Sequence, residues 1–123
     1  MPILTLEIDM QELLEQDDVN SAELITLLEA RSEGKADFLL VDVREDMEYD
    51  MGHIQGVDML KPTSDFQGWA KEFLDNYKEK TVIFTCRTGS RSAQVQNVFK
   101  QNGLDKVLNH FGGIVTYRGD IEK

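Results

Sequence analysis

The sequence predicts a single α/β domain in which helices cover both faces of a parallel sheet. Two segments, residues 38–43 and 81–85, are nearly continuous in apolar character, which is typical of strands buried on both faces. Amphipathic helical patterns alternate with these strands from Asn20 onward. A chain of 123 residues with 41% hydrophobic content is large enough for one core.

Three helices follow from local signals. Asn20 and Glu23 form a capping box that begins the first helix, and Gly34 marks its end. Ser64 and Gln67 have the same pattern at the start of the second helix. Its apolar stripe is Phe66, Trp69, Ala70, Phe73, Leu74 and Tyr77. The third helix runs from about residue 90 to 102 and should bury Val95, Val98 and Phe99 before Gly103 ends it.

The two ends of the chain are predicted from shorter patterns. A short strand over residues 106–109 precedes Gly112 and Gly113, a turn expected to need positive φ angles. Near the N-terminus, Leu4, Leu6 and Ile8 alternate like a strand, while Asp9 and Glu12 are able to cap a short helix through Leu13 and Leu14. We therefore divide the chain into an N-terminal extension, residues 1–18, and a domain, residues 19–123.

The overall charge disfavours several classes of partner. The chain has 13 basic and 23 acidic residues, for a net charge of −10. Such a charge repels nucleic acid and anionic membranes, so we expect neither as a partner. The apolar stretches are too short to span a bilayer, and the N-terminus lacks the basic flank of a signal peptide, so a cytoplasmic location is expected. No pattern fixes the oligomeric state.

The only cysteine, Cys86, lies in the segment CRTGSRS at residues 86–92, between a predicted strand and a predicted helix. Backbone N–H groups and the positive end of the helix dipole converge there, as in sites that bind anions. Gly89 allows a tight fold, and Arg87 and Arg91 add positive charge. The predicted anion cradle consists of Arg87, Thr88, Gly89, Ser90 and Arg91.

The same groups should lower the pKa of the Cys86 thiol and so favour the nucleophilic thiolate. The alternative, a cysteine that packs as a small hydrophobe, explains neither the two arginines nor the position between strand and helix. Asp42 and Arg44 end a buried strand and are expected to act as a hydrogen-bonded or ion-paired brace, and Ser92 is a further supporting residue. His53 is interpreted as a structural hydrogen-bonding group, and residues 45–50 as solvated acidic helix surface.

Residues 86–92 resemble the active-site loop of single-domain rhodaneses, which are sulfurtransferases. Three further segments resemble signatures of that family in the same order: VDVRE at residues 41–45, GHIQG at 52–56 and GGI at 112–114. Gln55 replaces a usual proline, and Tyr117 stands where tryptophan is usual. The resemblance implies the rhodanese-like three-layer fold, with a central, mostly parallel sheet flanked by helices on both faces.

The resemblance also implies a reaction without a metal or organic cofactor. The Cys86 thiolate would take sulfane sulfur from a small sulfur-containing anion such as thiosulfate, polysulfide or a persulfide. Because the chain has no second cysteine, the resulting persulfide would pass its sulfur to an external acceptor: cyanide, a thiol or a protein thiol.

Two other functions remain open from the residues. Cysteine-dependent phosphatases and arsenate reductases also use a cysteine, a backbone cradle and an arginine, but with five residues between cysteine and arginine. Only four residues separate Cys86 from Arg91, which leaves less room for a tetrahedral oxyanion. A non-catalytic module that carries a persulfide or binds a partner is the other alternative.

Overall fold

The computed structural model describes Met10 and residues 12–123. Four helices lie wholly within this part of the chain: α1 (Ser21–Ser32), α2 (Asp46–Asp50), α3 (Phe66–Tyr77) and α4 (Ser90–Gln101). The strands are β1 (Asp18–Val19), β2 (Leu39–Asp42), β3 (His53–Ile54), β4 (Met59–Leu60), β5 (Val82–Thr85), β6 (Val107–His110) and β7 (Ile121–Glu122). Short 3-10 turns occupy Thr63–Asp65 and Ile114–Thr116.

Five of these strands form one sheet in the order β1-β6-β5-β2-β4, and each neighbouring pair is parallel. β3 and β7 form a separate antiparallel pair. Because the strands of the large sheet are parallel, the carboxyl ends of β2, β5 and β6 meet at one edge, where such sheets place ligands. The prediction of a central, mostly parallel sheet is confirmed.

One face of the sheet is covered by α3 and α4. Trp69 and Phe73 from α3 and Val95 and Phe99 from α4 pack there against Phe84 of β5. The aromatic rings lie at 5.5 to 6.0 Å between the centroids of Phe73, Phe84, Phe99 and Trp69, a range typical of favourable aromatic pairs. This cluster also contains Cys86, so the predicted nucleophile lies at the border of the larger core.

The opposite face is covered by α1. Asn20 caps this helix with the predicted capping box, in which its side chain accepts from the N–H of Glu23 and its own N–H donates to the Glu23 side chain. Leu24 and Leu27 are fully buried against the sheet, with Leu28 partly buried beside them. With helices on both faces, the molecule has the predicted three layers.

Two local predictions are wrong. Ser64 does not cap α3; it lies in a 3-10 turn, and its hydroxyl donates to the carboxylate of Glu45. The helix begins two residues later, at Phe66. Val98 is exposed rather than buried, because the apolar face of α4 that meets the sheet is centred on Val95 and Phe99.

The predicted division at residue 18 falls inside β1, which pairs with β6. Residues 12–14 are helical, and Leu13 and Leu14 pack against the α1 side of the core. The alternation at Leu4, Leu6 and Ile8 and the cap at Asp9 lie outside the described residues. Within the described part of the chain, none of the helices has the length and apolar character needed to cross a bilayer.

A buried ion pair links β2 to the loop that follows it. The guanidinium of Arg44 donates from Nε and Nη2 to the carboxylate of Asp42, at 2.9 to 3.1 Å, and from Nη2 to the carbonyl of Gly52 at 2.7 Å. Asp42 also accepts the backbone N–H of Arg44. Because both residues are buried, each charge depends on the other for its compensation.

Replacing Asp42 with alanine should lower the free energy of unfolding by about 3–5 kcal/mol, because Arg44 would keep a buried charge without a partner. Urea unfolding of wild type and Asp42→Ala measures this loss. Glu33→Ala is the matched control, since it removes a carboxylate from the exposed pair with Lys35 and should cost less than about 1 kcal/mol. Equal losses in the two variants would contradict the role assigned to the buried pair.

Candidate functional site

Cys86 follows β5 directly, and α4 begins four residues later at Ser90. The residue is only 1% exposed, so it lies at the base of the loop. Gly89 has a φ of +96° and forms the N-cap position of α4. A side chain at this position would be strained, and its Cβ would lie 3.1 Å from the backbone nitrogen of Gly112. Glycine thus allows the chain to turn back over the sulfur.

Hydrogen bonds from the loop converge on the sulfur. The backbone N–H of Gly89 donates to Sγ of Cys86 at 3.1 Å, and the Ser92 hydroxyl donates to it at 3.4 Å. Burial by itself raises the pKa of the Cys86 thiol. The Ser92 hydroxyl and the backbone N–H groups of Ser92, Gly89 and Thr88 outweigh that effect, and the net pKa is lowered. This environment favours the thiolate, the nucleophilic form.

A second loop, residues 111–116, holds the cysteine loop in place. The N–H groups of Ile114 and Val115 donate to the carbonyls of Cys86 and Arg87, at 2.9 and 3.1 Å. Gly113 lies so close to the backbone of Arg87 that there is no room for a Cβ. Two carbonyls of the cysteine loop are therefore turned away from the sulfur and toward the second loop, which leaves the N–H groups of the turn to face Sγ.

The two arginines of the cysteine loop are not equivalent. Arg91 donates from both terminal nitrogens to the carboxylate of Glu48, at 2.7 and 2.9 Å. This hydrogen bond is the main reason that the pKa of Glu48 is lowered to about 2, and the Glu48 carboxylate in turn raises the pKa of Arg91. Arg87 is exposed and makes no side-chain ion pair with the residues that the structure describes. The acidic run at residues 45–50 is thus more than solvated surface.

The other predicted site residues divide into two groups. Thr88 and Ser90 are exposed and form the turn through their backbones, whereas Ser92 is fully buried beside the sulfur. Asp42 and Arg44 lie at the end of the neighbouring strand β2 and form the buried pair described above. His53 stacks on Tyr49 at 3.9 Å between ring centroids and contacts the carbonyl of Tyr49 through Nδ1, which is a structural arrangement.

Sequence reasoning missed a buried polar network behind the cysteine loop. His110, at the end of β6, has no exposed surface and lies 2.8 Å from both Ser21 Oγ and Thr85 Oγ1. Ser21 Oγ in turn lies 2.7 Å from Thr116 Oγ1, which donates to the carbonyl of Gly113. The network joins α1, β5, β6 and the second loop. Its members are up to 95 residues apart in the chain, so no local pattern signals it.

Comparison with known proteins agrees with this architecture. The family model of the rhodanese-like domain matches residues 23–120. The chain belongs to the rhodanese-like domain family. The matched segment contains the cysteine loop, the second loop and Glu48, and Ser21 of the buried polar network lies two residues before it.

Solved structures with the same fold include a rhodanese-like domain protein from Staphylococcus aureus, with a TM-score of 0.71, 26% identity, and coverage of 87% of this chain and 97% of that one. A rhodanese-related protein from Thermoplasma volcanium has a TM-score of 0.71, 24% identity, and coverage of 87% and 98%. The predicted family resemblance and fold are confirmed.

Curated relatives are longer proteins. The tRNA uridine(34) hydroxylases of Shouchella clausii and of Staphylococcus saprophyticus are each 32% identical to this chain, over 116 and 114 residues. These alignments cover 89% and 87% of this chain. The chain spans only 36% of the length of either relative.

Replacing Ser92 with alanine should raise the pKa of the Cys86 thiol, because the variant loses the side-chain hydrogen bond that does most to lower it. The pH profile of alkylation by iodoacetamide should shift to higher pH, with a several-fold lower rate at neutral pH. Ser90→Ala, which alters a hydroxyl in the same loop without a contact to Sγ, should leave the profile unchanged. Equal profiles for wild type and Ser92→Ala would refute the assignment.

The His110 network predicts a loss of stability in weak acid. Burial lowers the pKa of His110 from 6.5 to about 4, so between these values the unfolded chain binds a proton that the folded protein does not. The free energy of unfolding is therefore highest above pH 6.5, the pKa in the unfolded chain, and it falls as the pH drops from 6.5 toward about 4. At about pH 5 the loss should be about 2 kcal/mol.

Urea unfolding near pH 7 and near pH 5 measures this loss, and His110→Gln should be less sensitive to the same change of pH. Glu48 does not confuse the comparison of pH 7 with pH 5, because its pKa is depressed from 4.5 to about 2 and its contribution to stability is lost only as the pH falls below 4.5. A variant as pH-sensitive as wild type would show that His110 is not the group responsible.

Proposed function

We propose that this rhodanese domain is a sulfurtransferase that carries sulfane sulfur as a persulfide on Cys86. The observation that supports this function best is the convergence of the Gly89 N–H and the Ser92 hydroxyl on the buried Sγ. Hydrogen-bond donors that stabilise the Cys86 thiolate also stabilise the terminal sulfur anion of a persulfide formed on that cysteine. The donor is a small sulfur-containing anion, and the acceptor is cyanide, a small thiol or a protein thiol.

In the first step the Cys86 thiolate attacks the outer sulfur of the donor. A bond forms between Sγ and that sulfur, the sulfur–sulfur bond of the donor breaks, and the leaving group departs with the electron pair. With thiosulfate the leaving group is sulfite. The exposed guanidinium of Arg87 is available to bind an anionic donor or leaving group, since it has no side-chain ion pair within the described residues.

In the second step a nucleophilic acceptor attacks the outer sulfur of the persulfide and releases the Cys86 thiolate. Cyanide becomes thiocyanate, and a thiolate becomes a new persulfide. The chain has one cysteine, so the acceptor must come from outside it. Neither step needs an oxidant or a reductant. In each exchange the transferred sulfur atom moves with six valence electrons, and the electron pair of the broken bond stays on the leaving group.

Sulfur transfer fits the loop better than phosphoryl transfer. The four residues between Cys86 and Arg91 form a short turn, and the Arg91 guanidinium is taken by Glu48 rather than free to cover a tetrahedral oxyanion. A single sulfur atom added to Sγ needs far less space than a phosphoryl group with three equatorial oxygens.

The tRNA hydroxylation named for the longer relatives is not the activity that we propose. This chain corresponds to about a third of their length, and its net charge of −10 disfavours contact with RNA. A sulfur-carrying domain is consistent with membership in the same family.

Intact mass spectrometry tests the proposed function directly. Wild type incubated with thiosulfate, or separately with polysulfide or an organic persulfide, should gain the mass of one sulfur atom, and cyanide should remove it. Cys86→Ser should gain nothing, and Ser90→Ala should behave like wild type. Failure of wild type to take up sulfur from any of these donors would refute the proposed function.

A further inference from the structure

The cysteine loop has two arginines but only one uncompensated positive charge. Both terminal nitrogens of Arg91 are occupied by the carboxylate of Glu48, at 2.7 and 2.9 Å. Bidentate pairs of this kind are among the stronger ion pairs in proteins. Arg87, which has no such partner among the described residues, supplies the remaining charge. The site therefore offers less attraction to anions than its sequence suggests.

The negative charge of Glu48 is fixed in position. Its Oε1 also accepts the backbone N–H of Glu45 at 2.9 Å, which ties the side chain to the first turn of α2. The pKa of Glu48 is lowered to about 2, with the Arg91 hydrogen bond as the largest cause, so the carboxylate is ionised at neutral pH. Glu48 thus cancels the positive charge that Arg91 would otherwise present to an incoming anion.

We propose that Glu48 makes this site selective for sulfane-sulfur donors with at most one negative charge, namely persulfides of small organic thiols, over dianionic thiosulfate. This selectivity rests on the sulfurtransferase function proposed above. It assigns to Glu48 a role in substrate choice, whereas the chemical step remains with Cys86.

The physical basis is the second charge of the dianion. Two unit charges about 6 Å apart, at an effective dielectric constant of about 40, repel each other enough to change an equilibrium about tenfold. Thiosulfate brings this extra charge into the site, and its leaving group, sulfite, also carries two charges. A persulfide brings one charge or none, and its leaving group is a thiolate with one charge.

The transfer from a persulfide is balanced without any further reagent. The Cys86 thiolate attacks the outer sulfur of R–S–SH, the bond between the two donor sulfurs breaks, and R–S⁻ leaves with the electron pair. The products are Cys86–S–SH and an organic thiolate that takes up a proton from water. The total charge is −1 before and after the exchange.

A pair of donors that differ in charge provides the test. Methanethiosulfonate has one negative charge and leaves as methanesulfinate, whereas thiosulfate has two and leaves as sulfite. The second-order rate constant for persulfide formation is measured with each donor in wild type and in Glu48→Gln. The amide of the variant keeps an oxygen that accepts the Glu45 N–H, so α2 retains its first-turn hydrogen bond.

Glu48→Gln should increase both rate constants and should raise the ratio of the thiosulfate to the methanethiosulfonate rate constant about tenfold, because thiosulfate carries one more negative charge. Asp50→Asn is the matched control, because it removes the same charge from the same helix at a side chain that does not contact Arg91. The control should leave the ratio of the two rate constants close to that of wild type.

A ratio that is the same in wild type and Glu48→Gln would overturn the selectivity while leaving the sulfurtransferase function intact, since both proteins would still form a persulfide. Absence of a persulfide with every donor would instead refute the function. If the variant fails to fold, the salt dependence of wild type is the second measurement, because the repulsion assigned to Glu48 must weaken as the salt concentration rises. Raising the salt concentration from about 0.02 to 0.3 M shortens the screening length. The rate constant for thiosulfate should then rise relative to that for methanethiosulfonate. Equal effects of salt on the two rate constants would overturn the proposal.

Discussion

The site depends on the hydrogen bonds by which one loop shapes another. The backbone N–H groups of Ile114 and Val115 donate to the carbonyls of Cys86 and Arg87. The side-chain amide of Asn109 donates to the carbonyl of Gly89. With these three carbonyls occupied elsewhere, the loop presents N–H groups to the sulfur. A loop without this support would expose carbonyl oxygens as readily as N–H groups, and the thiolate would lose its stabilisation.

The parallel sheet provides the rigidity that this arrangement needs. β5 and β6 pair in register from Val82 to Phe84, and they end beside one another, so the two loops that follow them start at fixed positions. The buried His110 extends the connection to α1 through Ser21. The buried pair of Asp42 and Arg44 fixes the neighbouring strand end in the same way. Three strand ends are thus connected by buried polar contacts within the protein.

Local sequence patterns were enough to predict the parallel sheet, the capping of α1 and the position of the cysteine loop. Each of these depends on residues that are close together in the chain, or on strands that are apolar throughout. The pair of Glu48 and Arg91 was not predictable in this way, since the two residues are 43 positions apart and meet only in the folded protein. Ser64 was misassigned for a related reason: a distant carboxylate, Glu45, competes for a side chain whose local pattern indicates a cap.

The separation in sequence between Cys86 and the loop that supports it has a consequence for protein synthesis. While the chain is being made, Cys86 leaves the ribosome more than 20 residues before Asn109, Ile114 and Val115. Until those residues have emerged and β6 has joined the sheet, the sulfur has the chemistry of an ordinary thiol in a disordered segment. Its reactivity therefore appears only after folding, which limits adventitious sulfur uptake or oxidation of the nascent polypeptide.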